Sequence, residues 1–376
     1  MKGGSQLKLG RRKLSGKDLL SIDIGEHTTK LVAGKLGMNS MSVQQAVTIP
    51  TPPDSFEKGQ ITGFESLRKA IQEVTKKNHM KSKLAVCSVE NSEVITREIA
   101  VPSVKDEQIE KMLEFEIQQY IPVQLSEYIV QHKSLEVFEE DDVKKTRIQV
   151  TAVPRELAQS YFELFKSAGL QSAVMDVQSN AIDKLVGSNF LINGDGSYKE
   201  KTIAVLDIGY NHINIIIFEK AQYQFNRFLS LGSRSIDHNL VNFMDVSMEE
   251  AEKLKLGVGD LNKEVDVSDE AMDSLPSVYA DEMRVLNIVR NTVDTWVEDI
   301  ERIFKYYTTR SPGNTIDAIY LHGGVAEMNG LEQYLEESFG IPTAKISSLS
   351  NINVDGFSGD GGYSSYVNAL ATIIRR

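Results

Sequence analysis

Two apolar runs in this chain end the same way. LLSIDIG at 19–25 and IAVLDIG at 203–209 each close on an aspartate, an isoleucine and a glycine, and each is followed by a polar turn and a second apolar run. Short apolar runs bounded by turn formers read as strands, so each copy predicts a strand, a turn and a returning strand with an aspartate near the tip. One Asp-x-Gly after a strand is ordinary turn chemistry. Two copies, one in each half, predict a duplicated α/β fold: two related domains whose hairpin tips face one another across a cleft. Such tips suit a polyphosphate. Glycines let the backbone approach, turn N–H groups bind oxygens, and carboxylates hold a divalent ion that keeps most of its water, as Mg2+ does. Asp23 and Asp207 are therefore candidates to organise Mg2+ through water. Lys30, on the returning strand, is placed to neutralise phosphate charge.

The intervening sequence predicts further elements. Ser103 opens a helix with Ile109, Met112, Leu113, Ile117 and Tyr120 on one face, and Pro122 stops it. A second helix runs from Pro154 to Gly169 with Leu157, Tyr161, Leu164 and Ala168 in register. Between them, YIVQHKSLEVF and TRIQVTAV read as strands joined by the solvated tip EEDDVKK, so residues 93–170 form a subdomain inserted in the first half. In the second half three strands are followed by a long helix marked by Leu286, Val289, Val293, Trp296, Ile300 and Phe304, all core positions, which ends near Arg310 before SPGN. A strand, a glycine turn and a helix follow in AIYLHGGVAEMNGLEQYLEESFG. A glycine-rich loop and a final helix close the chain.

Composition narrows the function. At 376 residues and 41% hydrophobic content the chain has length for two cores. The excess of 53 acidic over 41 basic residues, a formal charge of -12, argues against broad nucleic-acid binding and suits a basic peptide. No run is long and apolar enough for a transmembrane helix, and the first residues lack the apolar stretch of a signal peptide. The single cysteine, Cys87 in LAVCSV, reads as a buried strand residue, which fits a reducing cytoplasm. Residues 1–17 carry six basic side chains and no acid and predict a mobile arm, either simply solvated or touching anionic lipid headgroups.

Five segments in order resemble the actin-like ATPase superfamily. SIDIGEHTTK is similar to its first phosphate motif, DVQSNA at 176–181 to its first connecting motif, VLDIGYNHINIII to its second phosphate motif, YLHGGVAEMNGL to its adenosine motif, and YVNALATIIRR to its second connecting helix. The resemblance implies a ribonuclease H-like fold, duplicated around a nucleotide cleft, with ATP and Mg2+ as ligands. It divides the chain into an arm (1–17), a first domain (18–92 and 171–200), an FtsA-like α+β insertion (93–170), a second core (201–232 and 315–376) and a helical nucleotide-binding subdomain (233–314). Within the superfamily, MLEFEIQQYIPVQLSEYIVQHKSLE, SMEEAEKLKLG, DIERIFKYYTTR and GLEQYLEESFGIPTAKI resemble the PilM family of type IV pilus assembly proteins. The FtsA branch shares the insertion but ends in an amphipathic membrane-binding helix, whereas this sequence stops at Arg376, which favours the PilM family, recruited to the membrane by a partner.

The resemblance also assigns roles. Asp23 and Asp207 are expected to hold Mg2+ through water, and Lys30 to contact phosphate. Gly25, Glu26, His27, Thr28, Gly209, Tyr210, Asn211, Gly232 and Ser233 are expected to surround the phosphates, Glu252 and Lys255 the ribose and adenine, and Gly323 and Gly324 to let the nucleotide lie against the backbone. His27 and His322 lack metal-ligand spacing. Gln178 stands where relatives orient the hydrolytic water, although an ordinary polar residue would also fit there. Ser233 replaces a glycine that relatives often carry, and ATIIRR lacks the glycine usual in the last helix, so nucleotide binding is better supported than turnover. The implied partner is the cytoplasmic N-terminal peptide of the inner-membrane protein PilN, docked between the first domain and its insertion, with other pilus membrane and motor components beyond it. The location implied is the inner face of the cytoplasmic membrane. Two readings compete: a self-associating, filament-forming ATPase, and a small-molecule kinase, for which the sequence offers no acceptor-site base.

Overall fold

The structure, a computed structural model, describes residues 14–104, 108–113, 124–263, 277–311, 313–354 and 362–375. The elements of the first half are strands β1 (Asp18–Ile24), β2 (Thr28–Leu36), β3 (Met41–Pro50), β4 (Phe56–Glu57) and β5 (Gln60–Ile61), helix α1 (Phe64–Lys77) and β6 (Leu84–Val89). Strands β7 (Ile95–Pro102), β8 (Tyr128–Glu140) and β9 (Val143–Pro154) follow, then α2 (Arg155–Ser167), β10 (Gln171–Val177) and α3 (Gln178–Val186). The second half carries β11 (Thr202–Ile208), β12 (Ile213–Glu219), β13 (Gln222–Leu229), α4 (Ser233–Met244), α5 (Met248–Leu256), α6 (Ser277–Arg310), β14 (Ala318–His322), α7 (Leu331–Phe339), β15 (Thr343–Lys345), β16 (Ile352–Val354) and α8 (Val367–Ile373).

The duplication is present in the sheets. The first is ordered β10-β6-β1-β2-β3-β16 and the second β13-β12-β11-β14-β15. In both, a three-stranded antiparallel meander continues into two parallel strands on the far side of its first member. The registers match as well: Asp23 lies opposite Lys30, and Asp207 opposite Asn214.

Strands β1 and β11 are buried along almost their whole length because both faces of each are covered. Alternate residues go to different cores. Leu19, Val32 and Val86 of the first sheet share one cluster with Ile203, Val205, Ile216, Phe218 and Tyr320 of the second, with residues of α3 and α8 among them. Leu20 and Ile22 face the other way, onto α1 and α2, while Ala204, Leu206 and Ile208 pack with α4 and α6. The shared cluster is thus an inner layer between the sheets. The period of two then puts Asp23, in step with Leu19, and Asp207, in step with Ile203 and Val205, on that inner face at the strand ends.

Three features depart from the division read in the sequence. Leu14 is buried in the inner core and the Gly16 N–H donates to Leu36 O, so packing reaches into the segment expected to be a mobile arm; residues 1–13 lie outside the described residues. Leu157, Tyr161, Leu164 and Phe165 of α2 pack with Leu20 and Ile22, so α2 belongs to the core of the first sheet rather than to the insertion. Finally, β16 pairs with β3 and α8 lies in the inner layer, so the last elements return to the first sheet. The expected strands β8 and β9 are present. Of the helix expected from Ser103, residues 108–113 are helical, and Ile117 and Tyr120 fall outside the described residues.

The insertion is the sheet β7-β9-β8, with a small core of Ile99, Val101, Ile148, Val150 and Ala152 beneath Ile109 and Leu113. It also touches other parts of the molecule. Arg147 on β9 pairs with Glu136 at 3.0 Å and reaches Gln224 of β13 at 3.5 Å, and Lys133 on β8 is salt-bridged to Asp183 of α3.

Candidate functional site

The same alternation that aims Asp23 and Asp207 inward carries other polar groups to the ends of the inner layer. Lys30 is in step with Val32, Asn214 with Ile216 and Phe218, and His322 with Ala318 and Tyr320. Each row is apolar at depth and polar at its end, so the sheets present a polar site directly beyond their shared core.

The first tip is held from below. The Gly25 N–H donates to Thr28 O at 3.0 Å, the Thr51 hydroxyl donates to Gly25 O at 2.7 Å, and the Thr51 N–H donates to His27 O at 3.0 Å. The second tip has the same turn bond, Gly209 N–H to His212 O at 2.9 Å. It is braced by α4, whose first N–H groups, on Ser233 and Arg234, donate to the carbonyls of Gly209 and Tyr210. A Cβ on Gly232 would lie 2.4 Å from Tyr210 O, which explains the glycine there. Gly232 and Ser233 therefore act as supports of the turn in this structure.

The tips meet. Asn211 donates to one carboxylate oxygen of Glu26, whose other oxygen accepts the Lys58 N–H at 2.6 Å. His27 stacks on Tyr210 with ring centroids 4.9 Å apart and lies 3.0 Å from Glu252 on α5. One turn along α5, Lys255 reaches Asp237 at 2.7 Å and lies 5.6 Å from the Tyr210 ring centroid. Lys255 is thus committed to a buried ion pair, with Glu252 on the same face.

Asp207 is the most heavily supported group. It is 5% exposed, accepts from Asn368 of α8 at 2.7 Å, and has His212 at 3.6 Å and His322 at 3.7 Å. Burial alone would raise its pKa; the two histidines and Asn368 hold it below the usual carboxylate range. Burial drives His322 toward its neutral form, whereas Asp207, Glu90 and Asp23 raise the His212 pKa against burial. Asp23 is shifted the other way. Burial raises its carboxyl, opposed by Lys30 and reinforced by Asp207. The two aspartates thus repel one another across the cleft, and a cation between them would relieve that repulsion.

The glycine turn after β14 also packs closely. Gly323 has φ +93°, and a Cβ there would fall 2.4 Å from Asp207 Oδ1 and 2.6 Å from Ile208 O. Gly324 faces open space. Gln178 begins α3 and is buried, with its Oε1 unpartnered.

These groups fit a hydrated metal and a phosphate chain. Among the described residues, buried His212 Nε2, His322 Nδ1, Asn214 Oδ1, Asn368 Oδ1, Gln178 Oε1 and Ser88 Oγ have no hydrogen-bond partner. So many unmet groups in one region are costly unless water or ligand satisfies them. Among the described residues no three His, Cys, Asp or Glu side chains converge as direct metal ligands. Sequence reasoning passed over Glu90, His212, Asn214 and Asn368. Glu90 carried the same signal as Asp23, a carboxylate closing an apolar strand; Asn368 gave none, since only the return of α8 brings it to Asp207.

Comparisons with known proteins agree with this architecture. A PilM-PilN type IV pilus biogenesis complex contains a chain that superposes with a TM-score of 0.76 at 19% identity, covering 95% of this chain and 98% of that one. The ethanolamine utilization protein EutJ from Carboxydothermus hydrogenoformans gives 0.55 at 12% identity, covering 96% and 91%. MreB5 of Spiroplasma citri bound to ADP gives 0.51 at 10% identity, covering 95% and 94%. At these identities the likeness concerns the fold, which is the actin-like one. The family described as type IV pilus assembly protein PilM matches residues 21–359, nearly the whole chain, and this chain belongs to that family.

Proposed function

We propose that this protein is an ATP-binding scaffold of the type IV pilus assembly machinery. It works at the inner face of the cytoplasmic membrane, binds the cytoplasmic N-terminal peptide of a PilN-type membrane protein, and links that protein to the cytoplasmic motor. The observation that carries the nucleotide part is the opposed pair Asp23 and Asp207, at matched positions of duplicated hairpins, amid buried polar atoms without partners. Mg2+ bound there would offset phosphate charge, with Asp23 and Asp207 holding its waters, Lys30 adding positive charge, and the turns around Gly25 and Gly209 facing the phosphates. Family membership and the likeness to a chain of a PilM-PilN type IV pilus biogenesis complex support the partner, and the net charge of -12 suits a basic peptide. Among the described residues no helix is long and apolar enough to cross a membrane, so recruitment by a membrane partner is the simpler reading.

The insertion supplies a route from cleft to partner. Arg147 spans Glu136 of its own sheet and Gln224 of the second half, so a shift between the halves is felt by the insertion. Fluorescence anisotropy with the PilN N-terminal peptide tests this. Wild-type protein is expected to bind the peptide and to change affinity by about 1–3 kcal/mol on adding Mg-ATP. Arg147→Ala is expected to bind without nucleotide within about twofold and to lose roughly 0.5–2 kcal/mol of that linkage. No peptide binding in either state would contradict the scaffold reading; ATP-dependent sedimentation without peptide binding would favour a filament.

A further inference from the structure

A third carboxylate reaches the polar end of the inner layer. Glu90 directly follows β6, in step with Val86 of the inner core and with Ser88, so the alternation that aims Asp23 and Asp207 inward also aims Glu90 there. It contacts the opposite half: Glu90 Oε2 accepts from Asn214 Nδ2 at 3.2 Å, and Asn214 faces Asp207 in the β11–β12 register. Unpartnered Ser88 Oγ and Asn214 Oδ1 belong to the same rows. Glu90 is half-buried, and holding an ionised carboxylate there is costly unless charge or hydrogen bonds offset it.

The electrostatics match the placement. Burial pushes the Glu90 carboxyl up to about 7, with His212 acting against that rise and Asp207 adding to it. A carboxyl of this kind exchanges protons near neutral pH, the range suited to a general base. Gln178, the candidate drawn from the resemblance, has an amide that can orient a water and cannot take its proton.

We propose that Glu90 accepts the proton of the water that attacks the terminal phosphate of ATP in this cleft, which makes the protein a slow ATPase. This rests on the ATP-binding reading above. In the step, the water oxygen bonds to the γ-phosphorus while the bond from that phosphorus to the bridging oxygen breaks. The electron pair leaves on ADP, the water proton passes to the Glu90 carboxylate, and from there it goes to solvent. Water is the only co-reactant.

The test uses the full chain and Glu90→Gln, which keeps the acceptor for Asn214. Calorimetry with Mg-ATP, phosphate release, and chromatography of nucleotide extracted after incubation are measured on both. Expected are Mg-ATP affinity within about threefold of wild type, phosphate release lowered about 100-fold, and extracted nucleotide that stays ATP in the variant while wild type yields ADP. Glu90→Ala, with room for a small acid, is expected to regain at least about tenfold of its lost rate in sodium formate, which a merely structural role would not produce. The proposal is overturned if Glu90→Gln releases phosphate at the wild-type rate, or if wild type binds ATP and leaves it intact. Failure of both proteins to bind Mg-ATP would overturn the cleft assignment along with it.

Discussion

Asp207→Asn is expected to weaken Mg-ATP binding at least about 100-fold while leaving the protein folded. Asparagine keeps an oxygen for the Asn368 amide, which now donates to Asp207 at 2.7 Å, so the packing at the β11 tip survives. What goes is the charge. The Asp207 carboxyl is held ionised by the groups around it, and a full negative charge near a hydrated dication in a partly desolvated cleft is worth several kcal/mol, against about 1 kcal/mol in bulk water. Asp207→Ala removes the acceptor as well, takes from Asn368 the carboxylate it donates to, and is expected to add about 1–3 kcal/mol of destabilisation. Calorimetry and thermal melting separate the two effects. A melting midpoint near wild type with no measurable Mg-ATP heat for Asp207→Asn is the expected pair of results; Mg-ATP affinity within threefold of wild type would show that this aspartate is structural.

Gly323→Ala is expected to be the most damaging single methyl in the site. Its backbone has φ +93°, where a side chain costs roughly 1–3 kcal/mol. The new Cβ would also lie 2.4 Å from Asp207 Oδ1 and 2.6 Å from Ile208 O, and a strand carbonyl has little room to yield, adding roughly 1–3 kcal/mol of overpacking. Together these give about 2–6 kcal/mol, a large share of a typical folding free energy. The clash falls on Asp207, the carboxylate proposed to organise the metal, so nucleotide affinity is expected to fall with stability. Gly324→Ala is the control, because its Cβ meets nothing within 4 Å; it is expected to change stability by less than about 1 kcal/mol. Equal melting of the two variants would mean that the close approach at Gly323 does not hold in solution.

The contrast between these glycines shows what sequence could and could not reveal. The two hairpins were legible because apolar runs and turn formers are local signals and recur in the two halves; the register that sets Asp23 opposite Lys30 and Asp207 opposite Asn214 is seen only in the structure. The strands of the insertion were legible for the same reason. Groups supplied by distant segments were not. Asn368 reaches Asp207 only because α8 returns to the inner layer, and Asp237 claims Lys255 only because α4 and α5 pack together. Nothing near Lys255 in the sequence distinguishes a ribose contact from a buried ion pair. Gly232 and Ser233, expected around the phosphates, make their contacts with Gly209 and Tyr210 at the second tip. The strand β16 is three residues long, too short for a periodic signal, and its attachment to β3 is a tertiary choice.

Replacing magnesium by manganese makes the metal directly visible. In crystals of the full chain grown with manganese and a non-hydrolysable ATP analogue, one anomalous peak is expected between Asp23 and Asp207. It should stand roughly 4–5 Å from the nearer oxygen of each carboxylate, the spacing of a metal–water bond followed by a hydrogen bond. Nucleotide density elsewhere on the protein, or a cleft without metal or nucleotide under saturating ligand, would contradict the account.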